Sequence, residues 1–116
     1  MKKLYCLFIL LFFIFLAIIK SAQSVSLAWD PNSETNLAGY VIYYGTASGQ
    51  YSNSNNVMNT TNTTVAGLLN GVMYFFVVTA YDASGLESDP SNEVAYRVPS
   101  TNFPRRVTIL NIKKTE

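Results

Sequence analysis

The sequence predicts an all-β fold, an antiparallel β-sandwich that follows an apolar leader. Apolar residues alternate with small or polar ones from Val25 to Trp29, which is the period of a half-buried strand. The run from Tyr40 to Tyr44 is rich in β-branched and aromatic residues, as strands are. Short segments of this kind recur about every 8–12 residues between turn formers, a spacing typical of sandwiches and barrels.

The expected strands follow one another with turn residues between them. Those at 25–29, 40–44, 72–81 and 92–98 have the clearest patterns, and weaker patterns occur at 51–58 and 60–65. Turns are expected where Gly, Asn, Asp, Ser and Pro cluster, at 30–33, 45–49, 68–71 and 82–85. Beyond the leader no stretch has a helical period, so the pattern favours strands alone.

The first 24 residues have the layout of a secretory signal peptide. Lys2 and Lys3 precede an unbroken apolar run at residues 4–19, and small and polar residues follow it. Ala22 and Ser24 fit the small-x-small pattern for cleavage after Ser24. The alternative is an uncleaved anchor at residues 4–19 with the lysines on the cytoplasmic side. Either way we expect a protein that is secreted, extracellular or at the cell surface.

Composition divides the remainder into an acidic body and a basic tail. Residues 25–96 contain six carboxylates and no lysine or arginine, whereas residues 97–116 contain five basic residues and one acid. An acidic body argues against a nucleic-acid ligand. The one cysteine, Cys6, lies within the apolar run, so no disulfide is expected to stabilise the body.

Several motifs, taken in order, resemble a fibronectin type III domain of the variety common in bacterial extracellular proteins. The resemblance covers about Val25 to Pro99. Trp29 followed by Asp-Pro resembles strand B, Leu-Ala-Gly-Tyr-x-Ile-Tyr-Tyr at 37–44 strand C, and Gly-Thr-Ala-Ser-Gly-Gln-Tyr at 45–51 the loop after it. Tyr-x-Phe-x-Val-x-Ala-Tyr at 74–81 resembles strand F, and Gly-x-Glu-Ser-x-Pro-Ser at 85–91 the approach to strand G.

The resemblance implies an immunoglobulin-like sandwich with domains at 1–24 (leader), 25–99 (sandwich) and 100–116 (basic tail). Parity along the strands predicts an inward-facing core, and Leu68 with Tyr74 resembles the tyrosine corner, in which a buried hydroxyl meets a backbone group. The predicted core comprises Trp29, Tyr40, Ile42, Leu68, Tyr74, Phe76 and Val78, with Tyr44 and Ala80 on the same face. The family's strand A is missing or very short, which leaves the strand at 25–29 as an open sheet edge.

No catalytic centre is expected, because the residues that usually build one are absent. The sequence contains no histidine, and its cysteine lies in the leader, which removes the commonest general base, metal ligand and nucleophile. No glycine-rich phosphate loop is present. Asp82, Glu87 and Asp89 match no EF-hand spacing, so we interpret them as solvated loop acids. Two Asn-Thr-Thr sequons, at 59–61 and 62–64, matter only in a secretory route that glycosylates them.

The sequence favours a non-catalytic extracellular binding or adhesion module for a protein or polysaccharide, with no cofactor. The alternatives are a self-assembling structural subunit and an accessory module of an extracellular enzyme system. The outward parity of the predicted neighbouring strands C and F suggests an exposed apolar interaction face. This candidate face comprises Val41, Tyr43, Phe75, Val77 and Tyr81.

The tail contains a further strand-like segment. Residues 107–112 are rich in β-branched types and lie between Arg105-Arg106 and Lys113-Lys114. A basic strand suits both the open edge at 25–29 and the acidic body, so it is expected to pair there in its own chain or a neighbour's. The alternatives are a disordered C-terminus and a tail that binds anionic polymers.

Overall fold

The period-two segments form strands throughout the part of the chain that the structure describes. In the computed structural model these are residues 22–100 and, for the backbone alone, residues 109–112. The strands are β1 (Ala22–Trp29), β2 (Leu37–Gly45), β3 (Asn53–Met58), β4 (Asn62–Leu69), β5 (Met73–Asp82), β6 (Val94–Arg97) and β7 (Ile109–Ile112). Within these described ranges, no helix has the length and apolar character needed to cross a membrane.

The strands form two sheets, which confirms the predicted sandwich. One sheet has the order β4-β1-β7 and the other β3-β2-β5-β6. All pairs are antiparallel except β1 with β7, which is parallel. The first sheet holds the equivalents of the family's strands B and E, and the second those of C′, C, F and G.

The core lies between the sheets and contains every residue predicted for it. Val25, Leu27 and Trp29 of β1 face Tyr40 and Ile42 of β2, all of them buried. The rings of Trp29 and Tyr40 meet edge to face with their centroids 5.5 Å apart, a favourable aromatic geometry. Leu68, Tyr74, Phe76 and Val78 are also buried, and the half-buried Tyr44 packs against this cluster.

The tyrosine corner forms as the resemblance implies. Tyr74 is 7% exposed, and its hydroxyl oxygen accepts a hydrogen bond from the Leu69 amide at 3.1 Å. Leu68, one residue earlier, is 1% exposed. The bond fixes the end of β4 against the start of β5, which lies in the other sheet, and so ties the two sheets together at this turn.

Several strand boundaries differ from the sequence prediction by a few residues, and two of the differences concern β4 and β1. β4 continues to Leu69, through part of the predicted turn at 68–71, because burial of Leu68 keeps the chain paired with Gln23. β1 begins at Ala22 rather than Val25, and Ala22 pairs with Leu69. Cleavage after Ser24 would therefore remove three residues of β1; the rest of the predicted leader lies outside the described residues.

The tail segment pairs with the edge that the sequence leaves open. Residues Ile109–Ile112 run parallel to β1, with Ser26 opposite Ile109 and Trp29 opposite Ile112. β7 thus occupies the side of β1 where the family's strand A would lie. The strand-like character predicted for the tail is confirmed over these four residues.

Candidate functional site

The predicted interaction face does lie on the outer side of the β2–β5 pair, but its apolar residues are not freely exposed. Val77 is 3% exposed, and Val41, Tyr43, Phe75 and Tyr81 are half-buried. Parity along the strands therefore gave the direction of these side chains correctly but not their exposure. Three local features account for the cover.

The first is the β2–β3 loop at residues 46–52, which folds back over the outer face. The side of Gly45 that a Cβ would occupy is filled by the Gln50 carbonyl oxygen and, at 3.2 Å, by the Tyr51 Cα, so only glycine fits there. Glu93, just before β6, accepts hydrogen bonds from the Ser48 hydroxyl at 2.6 Å, the Gly49 amide at 2.9 Å and the Tyr51 hydroxyl. The loop is thereby held across the sheet.

This contact shifts the titration of both partners. The hydrogen bonds from Ser48 and Tyr51 lower the pKa of the Glu93 carboxyl. Burial, followed by the hydrogen bond to Glu93, raises the pKa of Tyr51 to about 12. Both shifts favour the protonation states that keep the loop in place, a carboxylate facing a neutral phenol.

The second feature is Glu87, which lies over the face from the β5–β6 connection. Its carboxylate accepts bonds from the Tyr43 hydroxyl at 2.8 Å and from the Thr79 hydroxyl at 3.0 Å. Because Tyr43 pairs with Val77 in the sheet, its ring must run diagonally from Val77 towards Thr79 to reach Glu87. The hydrogen bond to Glu87 raises the pKa of Tyr43.

The third feature is Tyr81, whose ring lies over Gly39. A Cβ at Gly39 would sit 2.7 Å from the Tyr81 Cζ, so a glycine is required for the ring to cross. The Tyr81 hydroxyl then reaches β3, where it donates to Asn56 Oδ1 at 3.1 Å and lies 3.9 Å from Met58 Sδ. The outer face is therefore largely closed by the chain itself.

The two most exposed large apolar side chains of the described residues lie instead at one end of the sandwich. We call this the loop end; it comprises the β1–β2 loop (residues 30–36), the start of the β5–β6 connection (residues 83–88) and Met58 at the end of β3. Leu86 is 72% exposed and Met58 is 65% exposed, and both lie here. A third exposed apolar residue, Leu69 at 42%, lies at the opposite end beside Ala22.

Leu86 is presented by a turn that Asp82 holds rigidly. Asp82 Oδ1 accepts bonds from the Ser84 amide at 2.9 Å, the Ser84 hydroxyl at 2.6 Å and the Leu86 amide at 3.0 Å. These bonds, that from the Ser84 hydroxyl foremost, lower the pKa of Asp82. Aspartate is suited to this turn because its short carboxylate can accept from amides two and four residues ahead.

The connection after Leu86 is held against β5 by serine hydroxyls. Ser88 Oγ accepts from the Ala80 amide and Ser91 Oγ from the Val78 amide, each at 3.0 Å. The Ser88 and Ser91 amides donate back to the carbonyls of the same two residues. The Glu-Ser-x-Pro-Ser pattern at 87–91 is thus a hydroxyl-mediated extension of the sheet, which carries Glu87 and Leu86 to fixed positions.

The two loops of this end also contact each other. The Ala83 amide donates to the Asn36 carbonyl at 3.1 Å, which joins the two loops. The Asn32 amide donates to the Tyr40 hydroxyl at 2.8 Å, which holds the β1–β2 loop against β2. Between the loops lies an open cleft of about 260 Å³, whose apolar lining includes Leu37, Tyr81 and Leu86. The cleft and the exposed apolar groups form one fixed surface.

Met58 is unusual in its backbone conformation as well as in its exposure. It has a φ of 59° and is the one non-glycine residue with positive φ in the described part of the chain. The left-handed region costs an ordinary residue about 1–2 kcal/mol. A long apolar side chain that is both exposed and held at such a backbone position contributes little to folding, and strain of this kind clusters at functional sites.

The charged side chains of the described part of the loop end are acidic. Asp30, Glu34, Asp82 and Glu87 lie in the strands and loops that build it, and the sequence has no lysine or arginine between residues 25 and 96. No group of three or more acidic or thiol side chains among the described residues is placed to hold a metal ion. The described part of the loop end thus combines exposed apolar side chains with carboxylates.

Sequence reasoning did not identify Leu86 or Met58 as functional candidates. The one available signal was Leu86 itself, an apolar residue in the middle of the polar stretch Asp-Ala-Ser-Gly-Leu-Glu-Ser. Met58 gave no signal, because its exposure depends on the irregular pairing of β2 and β3, in which Tyr40 pairs with Met58 and Val41 with Asn56.

Comparison with known proteins agrees with the fold. The family model of the fibronectin type III domain matches residues 16–97, and this chain belongs to that family. It is also similar to a Kelch domain-containing protein of the archaeon Saccharolobus solfataricus, with 39% identity over 88 residues. That match covers 75% of this chain and 12% of the relative, so the chain spans about an eighth of the relative's length.

Proposed function

We propose that this protein is a non-catalytic extracellular binding module that contacts a protein partner through its loop end. Fibronectin type III domains are modules that often mediate interactions, and the fold alone identifies no ligand. The observation that carries the proposal is Leu86, a large apolar side chain that is 72% exposed on a turn fixed by Asp82. A preorganised apolar anchor reduces the ordering cost of binding.

The chemistry of the surface favours a protein over a polysaccharide. Leu86 and Met58 are aliphatic anchors, whereas sugars are generally stacked on exposed aromatic rings. The described rings near the loop end are not freely exposed: Trp29 and Tyr40 are buried and Tyr81 is half-buried. The surrounding carboxylates favour a partner segment that carries a lysine or arginine next to an apolar residue, because complementary charge increases the association rate and selects the partner.

The test is a quantitative capture experiment with a matched control. The module is immobilised and exposed to the native extracellular fraction, and captured proteins are quantified for wild type, Leu86→Ser and Leu69→Ser. Both substitutions remove an exposed leucine, one at each end of the sandwich. We expect Leu86→Ser to lose the specifically captured partner and Leu69→Ser to keep it; equal capture by both variants would contradict the proposal.

The similar Kelch domain-containing protein supports an accessory role as a second candidate. The segment that resembles this chain is a small part of that much longer protein. A module of this kind can position a larger partner rather than act on a substrate. In that case the captured partner would be an extracellular enzyme, and its specific activity would be unchanged by the module while its location or retention would change.

A further inference from the structure

The β1–β7 pair points to an interaction between copies of this chain. β7 is a four-residue parallel strand that pairs with β1 alone among the described strands. Eight residues, 101–108, connect it to the end of the sandwich, and fully extended they reach about 27 Å. β7 is therefore joined to the sandwich by an eight-residue tether.

The sandwich is closed before the tether begins. Val98 is 1% exposed; its amide donates to the Val72 carbonyl and its carbonyl accepts from the Gly71 amide, both at 2.9 Å. The buried cluster of described side chains comes from β1, β2, β4, β5 and Val98. Of the described contacts, moving β7 away would break the ladder on β1 and keep those within this cluster.

The charge distribution attracts the tail to any copy's body as much as to its own. Residues 97–116 hold five basic residues against one acid, and residues 25–96 hold six acids and no base. The backbone bonds of β7 with β1 are the same in cis and between copies, so exchange changes the connection and not the contacts. The local concentration of copies decides whether β7 pairs within its own chain or with a second copy.

We propose that the β1 edge is a strand-acceptor site for residues 109–112 of a second copy, so that crowded copies exchange β7. Through a connection of only eight residues, the chain's own β7 has an effective concentration of the order of millimolar at its own β1 edge. Dilute protein therefore pairs in cis, and exchange grows as copies approach that concentration. An uncleaved apolar leader, which would confine copies to one surface, would bring this about.

Cysteine cross-linking of the full chain tests the proposal. In a Cys6→Ser background, Ala28→Cys and Asn111→Cys are placed in separate, differently tagged chains, since Ala28 and Asn111 are register partners and adjacent strands bring cysteines within disulfide reach. The control mixture replaces Ala28→Cys with Asn55→Cys, an exposed position in the centre of the edge strand β3. A third chain carries both Ala28→Cys and Asn111→Cys, and its internal disulfide reports pairing of β7 with β1 in cis.

The expected cross-linking between chains depends on protein concentration. Well below saturation, raising protein concentration tenfold should raise the cross-linked heterodimer fraction about tenfold, as mass action requires. The disulfide within the doubly substituted chain should not depend on concentration. Heterodimer no more abundant than in the Asn55→Cys mixture, or failure of the doubly substituted chain to close, would overturn the proposal.

A second variant tests exchange without cysteines. Deleting residues 101–104 halves the tether, and short tethers favour exchange over closure in cis. Sedimentation of the full chain with this deletion should show a dimer at concentrations where wild type is monomeric. A deletion variant that stays monomeric at every concentration measured would also overturn the proposal.

Discussion

Replacing Tyr74 with phenylalanine removes one hydrogen bond from the tyrosine corner and leaves the packing in place. The centroid of the ring at position 74 stays within 6.5 Å of the ring centroids of Tyr44 and Phe76, so little apolar contact changes. The Leu69 amide loses its acceptor. Since Leu69 is 42% exposed, water can in part replace that acceptor. We therefore expect a loss of about 1–2 kcal/mol in unfolding free energy, below the cost of a fully stranded buried donor.

The assay is urea and thermal unfolding followed by far-ultraviolet circular dichroism. For a domain of this size the expected loss lowers the melting temperature by about 4–16 °C. Tyr96→Phe is the matched control, because Tyr96 pairs with Tyr74 across β5 and β6 and its hydroxyl bonds to no atom in the described residues. If the free energies of unfolding of the two variants agree within about 0.3 kcal/mol, the corner bond does not stabilise this domain.

Four further predictions concern the covered face and the loop end. The pKa of Glu93 is lowered on folding, so stability should fall as pH drops below the carboxyl's ordinary value of 4.5, and Glu93→Gln should flatten that dependence in urea titrations. The pKa of Tyr51 is raised from 10.0 to about 12, so stability should be lost between those two values and Tyr51→Phe should remove that loss. Met58→Gly should leave unfolding free energy unchanged or raise it by up to about 1 kcal/mol, because glycine relieves the positive φ; a clear loss would show that the methionine side chain stabilises the fold. Tyr43→Ser with Phe75→Ser should lower the melting temperature, since both side chains pack on a covered face, and capture experiments on the folded fraction test whether that face also binds.

Most of the fold could be predicted from the sequence because it depends on local periodicity. Alternation of apolar and polar residues along β1, β2 and β5 predicts both the strands and the residues that face the core. Burial of Trp29, Tyr40 and Phe76 follows from it. The tyrosine corner required the family resemblance, since nothing local to Tyr74 specifies a partner five residues earlier in the chain.

The exposure of the outer face could not be predicted in the same way. Its cover comes from Glu87 and Glu93, which are 44 and 42 residues from Tyr43 and Tyr51 in sequence. Those contacts exist only once β5 pairs with β2 and β6 pairs with β5. Alternation gives the direction of a side chain, whereas its exposure depends on what else folds over it.

The candidate site was missed for a related reason. Leu86 lies in a connection where apolar residues follow no regular period, and Met58 is exposed by an irregular pairing of β3 with β2. The tail strand was more accessible to sequence reasoning. Its β-branched composition and its basic flanks could be matched to the open edge predicted at residues 25–29.

The loop-end proposal is tested most directly by amide hydrogen exchange of the module, free and bound to its captured partner. We expect slower exchange on binding in peptides that cover residues 30–37 and 82–88 and around Met58, with little change at residues 46–52 and 69–71. Protection confined to the β2–β3 loop or to the opposite end would contradict it, because binding would then use a surface other than the one that Leu86 and Asp82 form.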